Sequence, residues 1–417
     1  MSLLIKDVLL NNQVQDVYIE GSRFRKIGPN LGIQADQVLQ GQDMAIFPSF
    51  INAHTHAAMS LMRGFADDLE LYTWLNDYVW PFESKLTFDD IYLGSRLACL
   101  EMIKTGTTFF CDMYWQMPAT LRAVSEMGIR AALSLPYIDF NDKTKAKNLR
   151  ARIRKFFVNS QQHERVVFAL GPHTVYTVSR DSLIWIRDFA AEHQLMINIH
   201  VAESRKEVED CVKEHGKPPV QYLESISFLG PDVVSCHTVW VNDEEMDILA
   251  DRDVKVVHNP ASNMKLGSGI FPFKGLASRG ICIGLGTDGC SSNNNLDMLE
   301  EMKIASLQSK LYDHDPTVFS ASEALQCATV NGARIFGLDM GKISEGMLAD
   351  CILINLNHYS LVPRHNLVSN LVYSASSEAI DTTICNGRVL MHGRKVPGEE
   401  EIIREVRNWE SQLKNRH

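Results

Sequence analysis

The sequence predicts an α/β fold, a TIM-like (β/α)8 barrel with a small β-sandwich domain built from both chain ends. Three observations predict it. From about residue 44 to 340, short β-branched-rich apolar runs alternate with helical patterns, and eight such runs occur. Several are apolar on both faces, as in Val166-Val-Phe-Ala-Leu170, the pattern of a strand covered on both sides by helices. The two ends lack the alternation and show period-two runs broken by turns.

Residues 2–43 hold one such run, Val14-Gln-Asp-Val-Tyr-Ile-Glu20, followed by the turn Gly21-Ser22, and no helix. The expected barrel strands follow at 45–53, 107–113, 130–137, 166–171, 196–201, 233–237, 254–258 and 282–286. Between them, Thr87-Phe-Asp-Asp90 and Ser320-Ala-Ser-Glu323 have the capping-box spacing, and glycines such as Gly128 and Gly216 stand where helices would stop. Alternating strand and helix forces parallel pairing through right-handed crossovers, which eight units satisfy by closing; a doubly wound open sheet is the rival. Residues 342–396 return to short strands without a helix, and Asn386-Gly387 between β-type runs marks a hairpin. Residues 399–413 form a charged amphipathic helix, expected as a solvated surface element. The resulting division is 1–47 and 345–397 for the sandwich, 48–344 for the barrel and 398–417 for the terminal helix.

Charge and composition narrow the function. Lys+Arg 41 against Asp+Glu 51 gives −10, so neither nucleic acid nor an anionic membrane is expected as the main partner. No stretch approaches the ~20 apolar residues of a membrane span, and the N-terminus lacks a secretory pattern. Nine scattered cysteines without Cys-x-x-Cys are expected as reduced, buried thiols in a cytoplasmic protein.

Barrel active sites lie at the carboxyl ends of the strands. Those ends hold His54 and His56 after the first strand, then His173, His200 and His237 after the fourth, fifth and sixth, and Asp288 after the eighth. His54-Thr-His56 places both imidazoles on one face of a strand, and His200 and Asp288 add a nitrogen and an oxygen, a mixture that suits a divalent transition metal. Glu203 follows His200 by three residues; it suits either proton transfer in the mouth or the N-terminus of the next helix. Trp74, Trp80 and Phe82 fit either a pocket wall or a core, and Asn259-Pro-Ala-Ser-Asn263 either a substrate contact or an ordinary loop. Gly284-x-Gly286 lacks the rest of a dinucleotide fingerprint and reads as close backbone approach at the barrel end.

Seven segments together resemble a known family: Pro48-Ser-Phe-Ile-Asn-Ala-His54-Thr-His56, Trp80-Pro-Phe-Glu83, Gly171-Pro-His173, His200-Val-Ala-Glu203, Cys236-His237, His258-Asn-Pro-Ala-Ser-Asn263 and Gly286-Thr-Asp288-Gly. They resemble the amidohydrolase superfamily, in the branch of the 5′-methylthioadenosine/S-adenosylhomocysteine deaminases and the related triazine hydrolases. The stretch from Asp288 to Asp297 favours the adenosine-type deaminases. The resemblance implies one divalent metal per chain, zinc first and ferrous iron second, held by His54, His56, His200 and Asp288. It further implies His237 beside the activated water, Glu203 as proton shuttle, Glu83 on the ribose hydroxyls and His173 on the purine ring, and by analogy a homo-oligomer. Ser49 departs from the family's glycine and should cost only a local backbone adjustment.

The implied reaction is hydrolytic deamination of 5′-methylthioadenosine, adenosine, 5′-deoxyadenosine or S-adenosylhomocysteine to the inosine analogue and ammonia. Asp288 and His237 orient the water, Glu203 passes its proton to the ring nitrogen, and Asp288 helps deliver a second proton to the leaving ammonia. Small 5′ groups are expected over homocysteine, because 133–140 holds no arginine for an amino-acid tail and Arg150, Arg152 and Arg154 are loosely placed. The alternatives are a triazine, pterin or guanine aminohydrolase on the same site and a non-catalytic metal-binding homologue. A two-metal hydrolase would need a bridging lysine after the fourth strand, and 165–177 contains none.

Overall fold

The computed structural model describes residues 2–159 and 163–414; residue 1 and the last three positions of the expected terminal segment, 415–417, lie outside the described residues. Eight parallel strands form the barrel in sequential order: Phe50–Thr55, Thr107–Met113, Arg130–Tyr137, Val166–Pro172, Met196–Val201, Val233–His237, Lys255–His258 and Ile283–Leu285. Side-chain bonds and one backbone hydrogen bond, not a regular ladder, stitch the seam between the last strand and the first. Fully buried Asn52 donates to Thr287 Oγ1 at 2.7 Å and accepts the Thr287 N–H at 3.0 Å, while the Asp288 N–H donates to the His54 carbonyl at 3.0 Å. Gly286 is required there, because a Cβ would lie 2.8 Å from the His54 nitrogen and oxygen.

The expected first strand, 45–53, is two strands. Met44–Pro48 pairs antiparallel with Cys351–Asn355 in the terminal sheet, and Phe50–Thr55 pairs parallel with Thr107–Met113 in the barrel. Apart from Ser49 and Asn52, both fully buried, the run is apolar, so no exposed polar break marks the crossing. Ser49 makes it: its N–H donates to the Asp350 carbonyl at 3.3 Å and its hydroxyl pairs with Thr108 Oγ1 at 2.5 Å. Its φ is not positive, so serine replaces the family's glycine without left-handed strain.

The other sheet is mixed and joins both chain ends. Ser2–Leu10, Gln13–Glu20, Arg23–Gly28, Gln37–Gln40 and Met44–Pro48 combine with Cys351–Asn355, Ile380–Cys385 and Arg388–Met391. Its two halves meet where Leu9 pairs with Ala45 and share a core that includes Ile5, Val17, Phe24, Ile46, Leu353 and Ile384. The last two strands turn at Asn386-Gly387 with φ of 53° and 71°, the left-handed pair a two-residue hairpin uses.

Two expectations are corrected in the C-terminal region. Leu367–Tyr373 is a helix, capped by the Asn366 side chain on the Ser369 N–H at 3.0 Å; its valines and tyrosine read as strand. The terminal helix Glu399–Lys414 is docked rather than merely solvated: Ile402 is buried, and Trp409 Nε1 donates to Asp90 at 2.7 Å. Glu405 and Glu399 pair with Arg96 and Lys104, so the surface it covers is the helix Phe88–Lys104. Both expected capping boxes form, on Thr87 and on Ser320, and a third forms on Asn242. All nine cysteines are free and buried, and no helix among the described residues is long and apolar enough to cross a membrane.

Candidate active site

The carboxyl ends of the strands bring His54, His56, His200, His237 and Asp288 together. Candidate ligand atoms of His54, His56 and His200 lie within 4.8 Å of one another, as do those of His54, His237 and Asp288. Asp288 Oδ1 is 3.5 Å from His54 Nε2 and 3.2 Å from His56 Nε2. A second partner orients each imidazole through Nδ1: His56 donates to the Met113 carbonyl at 2.7 Å and His200 to the His173 carbonyl at 2.8 Å. His54 Nδ1 donates to Cys236 Sγ at 3.2 Å, and the Cys236 thiol passes its own hydrogen to Asn198 at 2.8 Å. Each arrangement leaves an Nε2 lone pair facing inward, the tautomer a metal ligand needs.

The chemistry of this donor set fits a divalent cation. His54 Nε2 is fully buried and has no hydrogen-bond partner, an expensive state for a polar atom unless an ion takes its lone pair. Burial pushes His54 down to about 4 and His200 well below the usual imidazole range, so both stand neutral. Burial opposes ionisation of Asp288, but the neighbouring His54 and His56 imidazoles carry its carboxyl well below the usual range.

Supports around this cluster come from residues the sequence reading had not assigned. Ser262 and Ser292 donate to Asp288 Oδ2 at 2.6 and 2.8 Å, turning Oδ1 toward the histidines. His237 Nδ1 donates to Asn263 Oδ1 at 2.7 Å. The segment Asn259-Pro-Ala-Ser-Asn263 thus serves the site through Asp288 and His237. His237 and Asp288 themselves sit at φ of 68° and 61°, left-handed values uncommon outside glycine that Asp and His reach more readily than most.

Above the cluster is a cavity whose wall includes Glu83, Tyr114, His173, Glu203, Trp74 and Trp80. Phe82 is instead packed on Phe65, with ring centroids 4.8 Å apart. Glu203 is in the mouth, not on the next helix: the helix Arg205–His215 is capped by Ser204, and Glu203 precedes the cap. Its carboxylate lies 3.9 Å from His237 Nδ1, and burial raises its pKa above the usual carboxylate range. Buried Glu207 holds it there, accepting the N–H groups of Ala202 and Glu203 at 2.9 and 2.8 Å. Glu83 is raised by burial as well and accepts from Trp115 Nε1 at 3.4 Å. Burial pushes His173 down to about 3, leaving a neutral ring whose Nδ1 is 3.1 Å from Thr177 Oγ1.

The three loosely placed arginines separate. Arg150 donates to the Asp181 carbonyl and Ser182 hydroxyl, and Arg154 lies over the Trp185 ring. Arg152 and Lys145 instead line a second cavity of about 380 Å³, which shares Trp80, Glu83 and Trp115 with the first.

Comparison with known proteins gives the same picture. The chain is 46% identical over 399 residues to the 5-methylthioadenosine/S-adenosylhomocysteine deaminase of Thermococcus sibiricus, covering 94% of each chain. It is 43% identical over 427 residues to the 5′-deoxyadenosine deaminase of Methanobrevibacter smithii, covering 99% of this chain and 98% of the relative. A zinc-bound adenosine deaminase from Xanthomonas campestris superposes with a TM-score of 0.93 at 27% identity over 99% of this chain and 98% of that one. The zinc complex of atrazine chlorohydrolase from Arthrobacter aurescens, at 22% identity, shares the fold with a TM-score of 0.90 over 97% of this chain and 99% of its own. The amidohydrolase family model matches residues 45–390, from the strand before Ser49 to the final hairpin, and the chain belongs to that family.

Proposed function

We propose that this chain is a hydrolytic deaminase of adenosine-type nucleosides, working with one zinc ion held by His54, His56, His200 and Asp288. The observation that carries the reading is the union, in one cavity, of a metal-ligand cluster with two further carboxylates, buried Glu203 and half-buried Glu83. The names of the relatives, 5-methylthioadenosine/S-adenosylhomocysteine deaminase and 5′-deoxyadenosine deaminase, support the substrate class. Zinc in the Xanthomonas campestris structure supports the metal.

Bound there, the ion would lower the pKa of water from 15.7 to roughly 7 and so supply a nucleophile at neutral pH. The chain's own groups do the rest. Glu203 takes the proton of the attacking water and delivers it to the ring nitrogen, a task its raised pKa suits. His237, fixed through Nδ1 by Asn263, and Asp288, fixed by two serines, orient that water on the ring carbon. Asp288 then helps pass the second proton to departing ammonia. His173 meets the purine ring and Glu83 accepts from the ribose hydroxyls.

The second cavity favours a second reading of the 5′ group. Lys145 and Arg152 line the second cavity together with Glu83, and they suit the carboxylate of S-adenosylhomocysteine if its extended 5′ substituent enters there. An ammonia-release screen over adenosine, 5′-deoxyadenosine, 5′-methylthioadenosine, S-adenosylhomocysteine, guanine and melamine tests both readings. Turnover of guanine or melamine far above any nucleoside overturns the proposal.

A further inference from the structure

Tyr114 stands one residue beyond the second barrel strand, Thr107–Met113, and is 3% exposed. Its ring packs in the apolar cluster that holds Trp74, Leu75, Val79 and Phe82. Its hydroxyl is buried beside the Glu83 carboxylate but makes no well-formed hydrogen bond within the fold. The same side chain walls the cavity beside His56 and Glu83. Phenylalanine would fill the apolar cluster equally well without leaving a buried hydroxyl unpaired, and an unpaired buried hydroxyl is costly. The hydroxyl therefore needs a partner that arrives with a ligand.

Glu83 indicates what that partner is. A carboxylate only accepts hydrogen bonds, and Glu83 already accepts from Trp115 Nε1. A sugar hydroxyl that donates to Glu83 keeps oxygen lone pairs that want a donor. The Tyr114 phenol, with an unperturbed pKa of about 10 for its class, carries its proton at neutral pH and is that donor. The two side chains thus offer an acceptor and a donor to one hydroxyl pair. We infer that Tyr114 is a substrate-binding residue that donates to a ribose hydroxyl held by Glu83, and so sets preference for ribonucleosides over their dideoxy counterparts. This rests on the nucleoside reading above.

The test compares the zinc-loaded parent, Tyr114→Phe and Glu83→Gln on 5′-deoxyadenosine and on the analogue lacking both the 2′ and 3′ hydroxyls, with a thermal melt of each protein. Tyr114→Phe should melt at or above the parent, because it deletes an unpaired polar atom. It should lose about 3- to 10-fold in kcat/KM on the ribonucleoside, one neutral hydrogen bond's worth, carried mainly by KM. Its rate on the dideoxy analogue should stay within about twofold of the parent's, on the same reasoning. A lower melting temperature would mean that the hydroxyl is paired within the fold, and overturns the assignment. Equal losses on both substrates would place the hydroxyl on the base, and overturn it too. If the parent deaminates the ribonucleoside and Glu83→Gln loses selectivity while Tyr114→Phe keeps it, Tyr114 alone is misassigned. If the parent deaminates no nucleoside, the functional reading itself fails.

Discussion

The barrel mouth and the terminal sheet are built on opposite terms. In the sheet, apolar residues of both halves close one core, and a left-handed Asn-Gly pair turns the final hairpin. Apart from a bulge at left-handed Asp7, local preference and global fold agree there. At the mouth they conflict. Ala202, His237 and Asp288 hold left-handed backbone, Glu203 and Glu207 are buried carboxylates pushed up by desolvation, and His54 Nε2 and the Tyr114 hydroxyl make no well-formed hydrogen bond. Each conflict costs stability that the rest of the fold must supply. The difference teaches where to look for function: not in the best-packed layer, but where the chain tolerates strain and unpaired polarity.

If that contrast is right, substitutions at the mouth cost catalysis and those in the sheet cost stability. The largest catalytic loss is expected from His200→Ala, which removes a proposed ligand whose Nδ1 is fixed by the His173 carbonyl. Turnover should vanish together with bound metal, as measured by elemental analysis and ammonia release. Chelation of the parent should do the same, reversibly on adding zinc. Full activity in metal-free protein would break the comparison at its root.

Glu203→Gln comes next. It keeps shape and volume but removes basicity, so kcat should fall by at least ~10²-fold while metal content holds. A near-normal kcat would return Glu203 to a purely structural role in the loop before the helix Arg205–His215. Glu83→Ala should cost less. Losing hydrogen bonds to a charged group removes about 1.5–3 kcal/mol from kcat/KM on a nucleoside, and a melt of the variant should show little change. Unchanged nucleoside kinetics would detach Glu83 from the sugar and leave the metal chemistry standing.

The same contrast explains what could be read from the sequence. Barrel strands were legible because runs such as Val166-Val-Phe-Ala-Leu170 are apolar on both faces, and their carboxyl ends name His54, His56, His200 and Asp288 directly. The crossing at Ser49 was not legible, since the residues on either side of it, Phe47-Pro48 and Phe50-Ile51, are apolar and only the strands' partners differ. Ser262, Ser292 and Asn263 were not legible as supports, because serine and asparagine in loops look alike whether or not a distant carboxylate or imidazole uses them. The three short helical pieces over 71–83 that carry Trp74, Trp80 and Glu83 into the cavity were missed for a related reason. Their apolar residues face the mouth rather than the main core, so no barrel periodicity announces them.

Asp350→Ala sharpens the comparison from the other side, with the smallest expected effect on catalysis. Asp350 precedes the strand Cys351–Asn355 and meets Arg130, the first residue of the third barrel strand, at the end away from the mouth. Arg130 Nε lies 3.0 and 3.2 Å from the two carboxylate oxygens, and its terminal nitrogen donates to Asn386 in the hairpin turn at 2.6 Å. The Arg130 and Asp350 side chains are 5% and 0% exposed, so deleting the carboxylate strands a buried guanidinium. Breaking such a pair costs about 3–5 kcal/mol, whereas replacing both partners with apolar residues of similar size is often neutral. Urea unfolding should therefore show that loss for Asp350→Ala and recover most of it in Arg130→Met/Asp350→Leu. Metal content and kcat, assayed well below the melting temperature, should stay within about twofold of the parent in both, since neither change touches the mouth. A fall in kcat that tracks the stability loss would show that the strain at His237 and Asp288 is held in place by the sheet, and the two regions would then have to be treated as one cooperative unit.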